Sequence, residues 1–154
     1  MQPGKHSWDF MLQVEPANLA TRSAANQYAL DYAAPARVRC VEGCGTICVG
    51  DVDDRNMDGF AEGRGCYLLS ARDVARVVLH MDTPDQLRFF PAFEIHDWQG
   101  LAPRTITVDG ARRHAGIHYN VQVDVEHARL VLQLLEVLKP GRHVLEIAGN
   151  ARAN

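Results

Sequence analysis

Short runs of apolar and polar residues in alternation dominate this chain, and they predict strands. Ala36–Val41 and Thr46–Val49 are β-rich segments on either side of Gly43-Cys44-Gly45. Cys66–Leu69, Val74–Met81, Leu87–Phe90 and Phe93–Trp98 follow, with a Thr83-Pro84-Asp85 turn between the second and third. Thr105–Val108 runs into Asp109-Gly110, a dipeptide that favours a tight hairpin turn. His118–Val125 alternates cleanly and puts its valines on one face. Ala128–Leu138 suits a helix or a buried strand by composition, and its neighbours favour strand. Lys139-Pro140-Gly141 then turns the chain into Val144–Ile147. Trp8–Val14 also reads as a strand, and the alanine-containing stretch Ala17–Tyr32 is the one place where a short helix is expected.

Many short strands separated by frequent turn signals predict an all-β fold. The expected architecture is a jelly-roll-like β-sandwich of about eight to ten mainly antiparallel strands, with both inner faces filled by Val, Leu, Ile and Phe. At 154 residues the chain is most simply one domain, 1–154. That length suffices for a core without staples. The net charge of −3 makes no electrostatic case for nucleic acid or an anionic membrane. No apolar run reaches the length of a membrane span. Met1–Trp8 has no apolar signal core, so the chain is expected to be a mature, truncated or excised module of a longer protein.

The segment Asp54–Glu62 carries the most specific chemistry. Asp54, Asn56, Asp58 and Glu62 stand at loop positions one, three, five and nine, and Gly59 stands at six. Ca²⁺ takes six to eight oxygen ligands, and alternate residues of a tight loop can aim them at one centre. Phe60 would add its backbone carbonyl, and glycine permits the sharp turn. The expected cofactor is a structural Ca²⁺; the bland alternative is a solvated Asp/Asn/Gly turn whose carboxylates cap backbone amides. An EF-hand fits only in part, because Gly65 occupies the twelfth position where a bidentate glutamate belongs. The loop more closely resembles the β-hairpin calcium loops of integrin-type propeller repeats, D-x-[DN]-x-D-G-x-x-D, with Glu62 in the place of the last aspartate. The resemblance implies the loop and not a propeller, which a single repeat cannot build.

Cys40, Cys44, Cys48 and Cys66 are clustered, in a spacing that matches neither zinc pairs nor C-x-x-C redox motifs. A hairpin around Gly43-Cys44-Gly45 would place Cys40 opposite Cys48 and leave Cys44 at the tip to reach Cys66. Disulfides would indicate an oxidising compartment; the alternative is partly buried thiols in a reduced cytosol.

Glu94, His96, Asp97 and Trp98 form a polar and aromatic cluster that could hydrogen-bond and stack on a sugar, with Tyr119 and Trp8 as further aromatic surface. Core packing is the competing role for each of these rings. Glu94 with Asp97 or Glu62 could serve as an acid/base pair, subject to the separation of the carboxyls. His114 and His118 have a helical chelating spacing, but Gly116 argues against a helix there. Ser70 and Ser7 lack a nucleophile elbow.

Several phrases together resemble β-sandwich domains appended to secreted bacterial carbohydrate-active proteins. They are Asn56-x-Asp58-Gly59-Phe60-x-Glu62 before Gly65-Cys66-Tyr67, then Ile106-x-Val108-Asp109-Gly110, then Pro140-Gly141-x-His143-x-Leu145-Glu146-Ile147. This resemblance implies an extracellular or periplasmic accessory module whose partner is a glycan or a neighbouring catalytic domain. Two other readings stand beside it. One is a small hydrolase or lyase using Glu94, His96 and Asp97. The other is a periplasmic protein that binds or inhibits another protein through a sheet edge.

Overall fold

Alternation along each strand decides which side chains meet in the middle of this molecule. The computed structural model describes residues 33–47, 57–72, 76–83, 85–99 and 101–149. The expected strand Trp8–Val14, the expected helix Ala17–Tyr32, and Asp54, Asn56 and Cys48 lie outside these residues. The described chain is all-β and forms thirteen strands, eight of them four residues or longer. They are β1 (Arg37–Glu42), β2 (Cys44–Thr46), β3 (Phe60–Ala61), β4 (Cys66–Ala71), β5 (Arg76–Thr83), β6 (Arg88–Phe89), β7 (Ala92–His96), β8 (Thr105–Val108), β9 (Ala111–Arg113), β10 (Tyr119–Asp124), β11 (Arg129–Leu134), β12 (Val137–Leu138) and β13 (Gly141–Ala148).

The strands build a sandwich. One sheet runs β1-β5-β13-β8-β9, and the other runs β10-β11-β7-β4-β2 with β3 paired to β4. β6 and β12 make a small separate pair. Pairing is antiparallel except between β4 and β7. Both sheets supply one continuous core: Val77, Leu79, Leu145 and Ile147 from the first, Leu69, Phe93, Ile95 and Leu132 from the second. The valines of β10 pack against this core from the edge, as their alternation predicts. Ala128–Leu138 resolves into β11 and β12. Its helical alternative loses because Leu130, Leu132 and Leu134 then share the core face at a period of two, fully buried.

Asp109 and Gly110 both have positive φ (53° and 76°), as a type I′ hairpin turn requires, and they join β8 to β9. By contrast, the hairpin expected around Gly43-Cys44-Gly45 does not form. β1 pairs with β5, and β2 pairs with β4, so the chain leaves one sheet and enters the other at Gly43, where φ is 70°.

That crossing corrects the expected disulfides. Cys40 is bonded to Cys44, with Cα atoms 5.7 Å apart, instead of to Cys48. Cys44 is therefore committed and does not reach Cys66. Register explains this: Cys44 is level with Ala71 at the far end of β4, whereas Cys66 begins that strand. Five residues of strand separate the two levels by about 17 Å. Cys66 also faces the other way, into a small apolar cluster with Ala61 and Leu68 on the outside of the sheet.

Candidate functional site

The outer face of the six-stranded sheet places polar side chains in a row. Gly45 pairs with Ser70 across β2 and β4, and Ser70 pairs with His96 across β4 and β7. One step beyond the Leu130–Ile95 pair, Arg129 comes level with His96, and Arg129 in turn pairs with Asp124 on β10. The alternate residues of these strands are core leucines, isoleucine and phenylalanine, so burial of the apolar set forces this polar set outward.

Glu94 anchors the row. It is only 6% exposed although it lies on the outer face. A buried carboxylate needs compensating donors. Three converge on Oε1: Arg64 Nη1 donates at 3.1 Å, Arg129 Nη1 at 3.3 Å, and His96 Nε2 lies 2.9 Å away. Arg129 also donates through Nη2 to Asp124 Oδ2 at 3.0 Å. His127 closes the end of the chain of contacts, with its backbone N–H on Asp124 Oδ1 and its ring Nδ1 2.9 Å from Oδ2. The His127 backbone N–H is the main reason the Asp124 carboxyl sits below its ordinary value; partial burial opposes this, and the His127 ring and Arg129 add to it. The Glu94 hydrogen bond, followed by that of Asp124, raises Arg129 above its ordinary value.

Asp97 belongs to the same face but not to the Glu94 contacts. Its Oδ2 accepts the Ser70 hydroxyl at 2.6 Å, and its φ is 59°, a conformation that aspartate tolerates better than most residues. Trp98 and Tyr119 are in the core, 1% and 6% exposed. The Trp98 indole N–H donates to the Leu101 carbonyl at 3.1 Å, so its polar edge is satisfied inside the fold. Of the five candidates, then, Glu94, His96 and Asp97 share the outer face, and the two aromatic rings fill the core.

A cleft of about 400 Å³ opens at the end of the sheet where β4 and β7 begin. Phe60, Arg64, Tyr67, Phe89, Phe90 and Val131 line it. Its volume falls in the range of small-ligand sites. Arg64 belongs both to this cleft and to the Glu94 contacts, which joins the two features. Phe90 is 42% exposed and holds a positive φ of 47°, unusual for an aromatic residue.

At the acidic loop, Asp58 Oδ1 accepts the Phe60 backbone N–H at 2.8 Å. Gly59 has φ 84°, and a Cβ there would come within 2.5 Å of Thr46 Cγ2. The glycine is required here for both backbone and space. Asp58, Phe60 and Glu62 are described; Asp54 and Asn56 are not. Among the described residues, no three His, Cys, Asp or Glu side chains gather where a metal ion could sit. No helix among them is long and apolar enough to cross a membrane.

Arg64, Arg129, Asp124 and His127 were invisible to motif reading. Arg64 comes from the turn before β4 and the other three from the β10–β11 hairpin, and strand pairing brings both places to Glu94. The one available signal was the polar pair Glu94 and His96, two apart in an otherwise apolar strand.

No protein-family model, curated protein or solved structure matches this chain.

Proposed function

We propose that this chain is a non-catalytic β-sandwich module of an extracytoplasmic protein that binds a glycan, or supports a neighbouring catalytic domain, through the outer face of its six-stranded sheet. The observation that carries the reading is the engagement of Glu94. A carboxylate oxygen that meets two guanidinium groups and an imidazole is a fixed anchor for the side chains around it. The row Ser70, His96, Arg129 and Asp124 supplies donors and acceptors suited to hydroxyl groups. The cleft beside it supplies the exposed Phe90 ring for the apolar face of a sugar.

In the same reading the acidic loop holds a structural Ca²⁺. Asp54, Asn56, Asp58 and Glu62 would offer side-chain oxygens and Phe60 its carbonyl. The Asp58 carboxylate accepts the Phe60 backbone N–H, which tightens the loop at the residues that would hold the ion.

The test is a glycan array probed with the intact chain, in calcium and in chelator. Binding that Arg64→Gln and Phe90→Ala abolish would support the module. Failure of every glycan to bind would remove the carbohydrate part. For the metal, calcium should raise the melting temperature of the native chain and not that of Asp58→Ala, because a ligand bound only by the folded state stabilises it by mass action.

One contact favours a second reading, a hydrolase or lyase using Glu94, His96 and Asp97: His96 lies 2.9 Å from Glu94. Turnover of chromogenic glycosides or esters that disappears in Glu94→Gln would establish it over the binding module.

A further inference from the structure

At one end of the outer face of the five-stranded sheet arginines outnumber carboxylates; at the other end Arg76 is paired with Glu42 and Glu146. Register puts Arg37, Asp82 and Arg142 in one row across β1, β5 and β13. Arg39 stands two residues along β1, level with His80. The alternate residues of β1, Val38 and Cys40, turn to the core, so Arg37 and Arg39 point outward.

A single carboxylate lies among the three guanidinium groups. Asp82 Oδ1 accepts from Arg142 Nε at 2.7 Å, and Asp82 Oδ2 is 3.9 Å from Arg39 Nη2. The Arg142 hydrogen bond is the main cause holding Asp82 below its ordinary value. Arg37 makes no ion pair with any described residue. The side chains of Arg39 and Arg142 are 60% and 59% exposed, so their charge is presented to solvent. Arg37 and Arg142 are rooted two strand spacings apart, about 10 Å, and Arg39 stands about 7 Å along the strand from Arg37. A second cleft, of about 580 Å³, adjoins this row; Arg37 and Arg88 line it together with Asp82 and Asp85, so the arginines beyond it on β1 and β13 are the ones open to an anion.

We propose that this face is a docking surface for a linear sulfated polysaccharide, with Arg37, Arg39 and Arg142 each meeting a sulfate group. The guanidinium fork fits a tetrahedral oxyanion with two parallel hydrogen bonds. At this spacing an extended chain that repeats its anionic groups can meet all three arginines at once. A nucleic acid is a poorer fit, because no Phe, Tyr or Trp stands among the outward positions of β1, β5 and β13 for bases to stack on. This surface lies on the opposite side of the sandwich from the Glu94 row, so the two can be tested apart.

The probe is dextran sulfate, with unmodified dextran and a single-stranded oligonucleotide as comparisons. Binding of the intact chain is measured over a series of salt concentrations. Dextran sulfate should bind in a salt-sensitive manner and dextran should not. Arg37→Gln with Arg39→Gln should weaken dextran sulfate binding about tenfold. Both side chains are exposed and the Arg142–Asp82 pair is retained, so folding is preserved, and an unchanged melting temperature checks this. Arg64→Gln, on the other face, should leave this binding intact. Equal behaviour of dextran and dextran sulfate, or no effect of the double variant, would overturn the proposal. Oligonucleotide binding as tight as that of dextran sulfate would overturn its choice of partner.

Discussion

The imidazole of His143 is held between two acceptors, with Nδ1 2.7 Å from Asp109 Oδ2 and Nε2 2.7 Å from the Lys139 carbonyl. A neutral imidazole has one N–H and cannot satisfy both; the imidazolium can. Asp109 is the first residue of the β8–β9 turn, and its Oδ1 also accepts the Val144 N–H at 2.8 Å. The pair therefore clamps a hairpin turn to the start of β13.

This clamp gives stability a pH dependence. Burial pushes His143 down, but the Lys139 carbonyl and the Asp109 carboxylate outweigh it, so its value lies above the ordinary 6.5. Burial likewise pushes Asp109 up, and the His143 ring and the Val144 N–H outweigh it, leaving Asp109 below the ordinary 3.8. A raised histidine contributes fully below its unfolded value and loses that contribution as pH rises through its folded value. A depressed aspartate contributes above its unfolded value and loses that contribution as pH falls through its folded value. The clamp is thus strongest between the ordinary values of the two groups. Melting temperatures of the native chain and His143→Gln should differ most in that window and converge as pH rises above 6.5. A constant difference across alkaline pH would contradict the assignment.

Replacing Glu94 tests its anchoring role. Glu94→Ala should cost about 2–3 kcal/mol, near the lower end for a broken buried ion pair, because Arg64 and Arg129 are partly exposed and can regain water. Glu94→Gln keeps an acceptor oxygen and should cost less. Urea unfolding of both variants measures this. A loss below about 0.5 kcal/mol for the alanine would mean that the contacts behave as an ordinary surface ion pair.

Two glycines separate backbone strain from steric collision. Gly59 and Gly110 both have positive φ, but only at Gly59 would a Cβ collide with a neighbour. Gly110→Ala should cost about 1 kcal/mol from conformation alone, and Gly59→Ala clearly more. Equal losses in denaturant melts would show that the Thr46 methyl simply moves aside.

Reduction of the Cys40–Cys44 bond should cost about 2 kcal/mol, since a closed loop this short removes little unfolded-state entropy. Cys40→Ser, Cys44→Ser and the double variant should then lose the same amount in unreduced denaturant melts. Additive losses in the double variant would indicate that each sulfur acts independently.

The fold class was legible because strand alternation is a local property. A sheet buried on one face imposes a period of two on each segment, and β10, β11 and β13 show it in their own residues. The Asp109-Gly110 turn was legible for the same reason: its positive φ values are a demand on two adjacent residues. Strand partnership is not local. Gly43-Cys44-Gly45 reads as a hairpin tip, yet β1 buries Val38 against one sheet by joining β5 while β2 joins β4 in the other. That choice moved the disulfide to Cys40–Cys44.

The Glu94 contacts depend on the same kind of choice. Arg64 and Arg129 meet at Glu94 because parallel pairing of β4 with β7, and antiparallel pairing of β7 with β11, set distant segments side by side; Asp124 joins Arg129 through their own hairpin. The sequence by itself determined which residues face inward and where the chain must turn, because burial and backbone conformation act on neighbours. Only the tertiary structure decided which outward residues become neighbours, because that depends on strand order and register, which the whole core settles together.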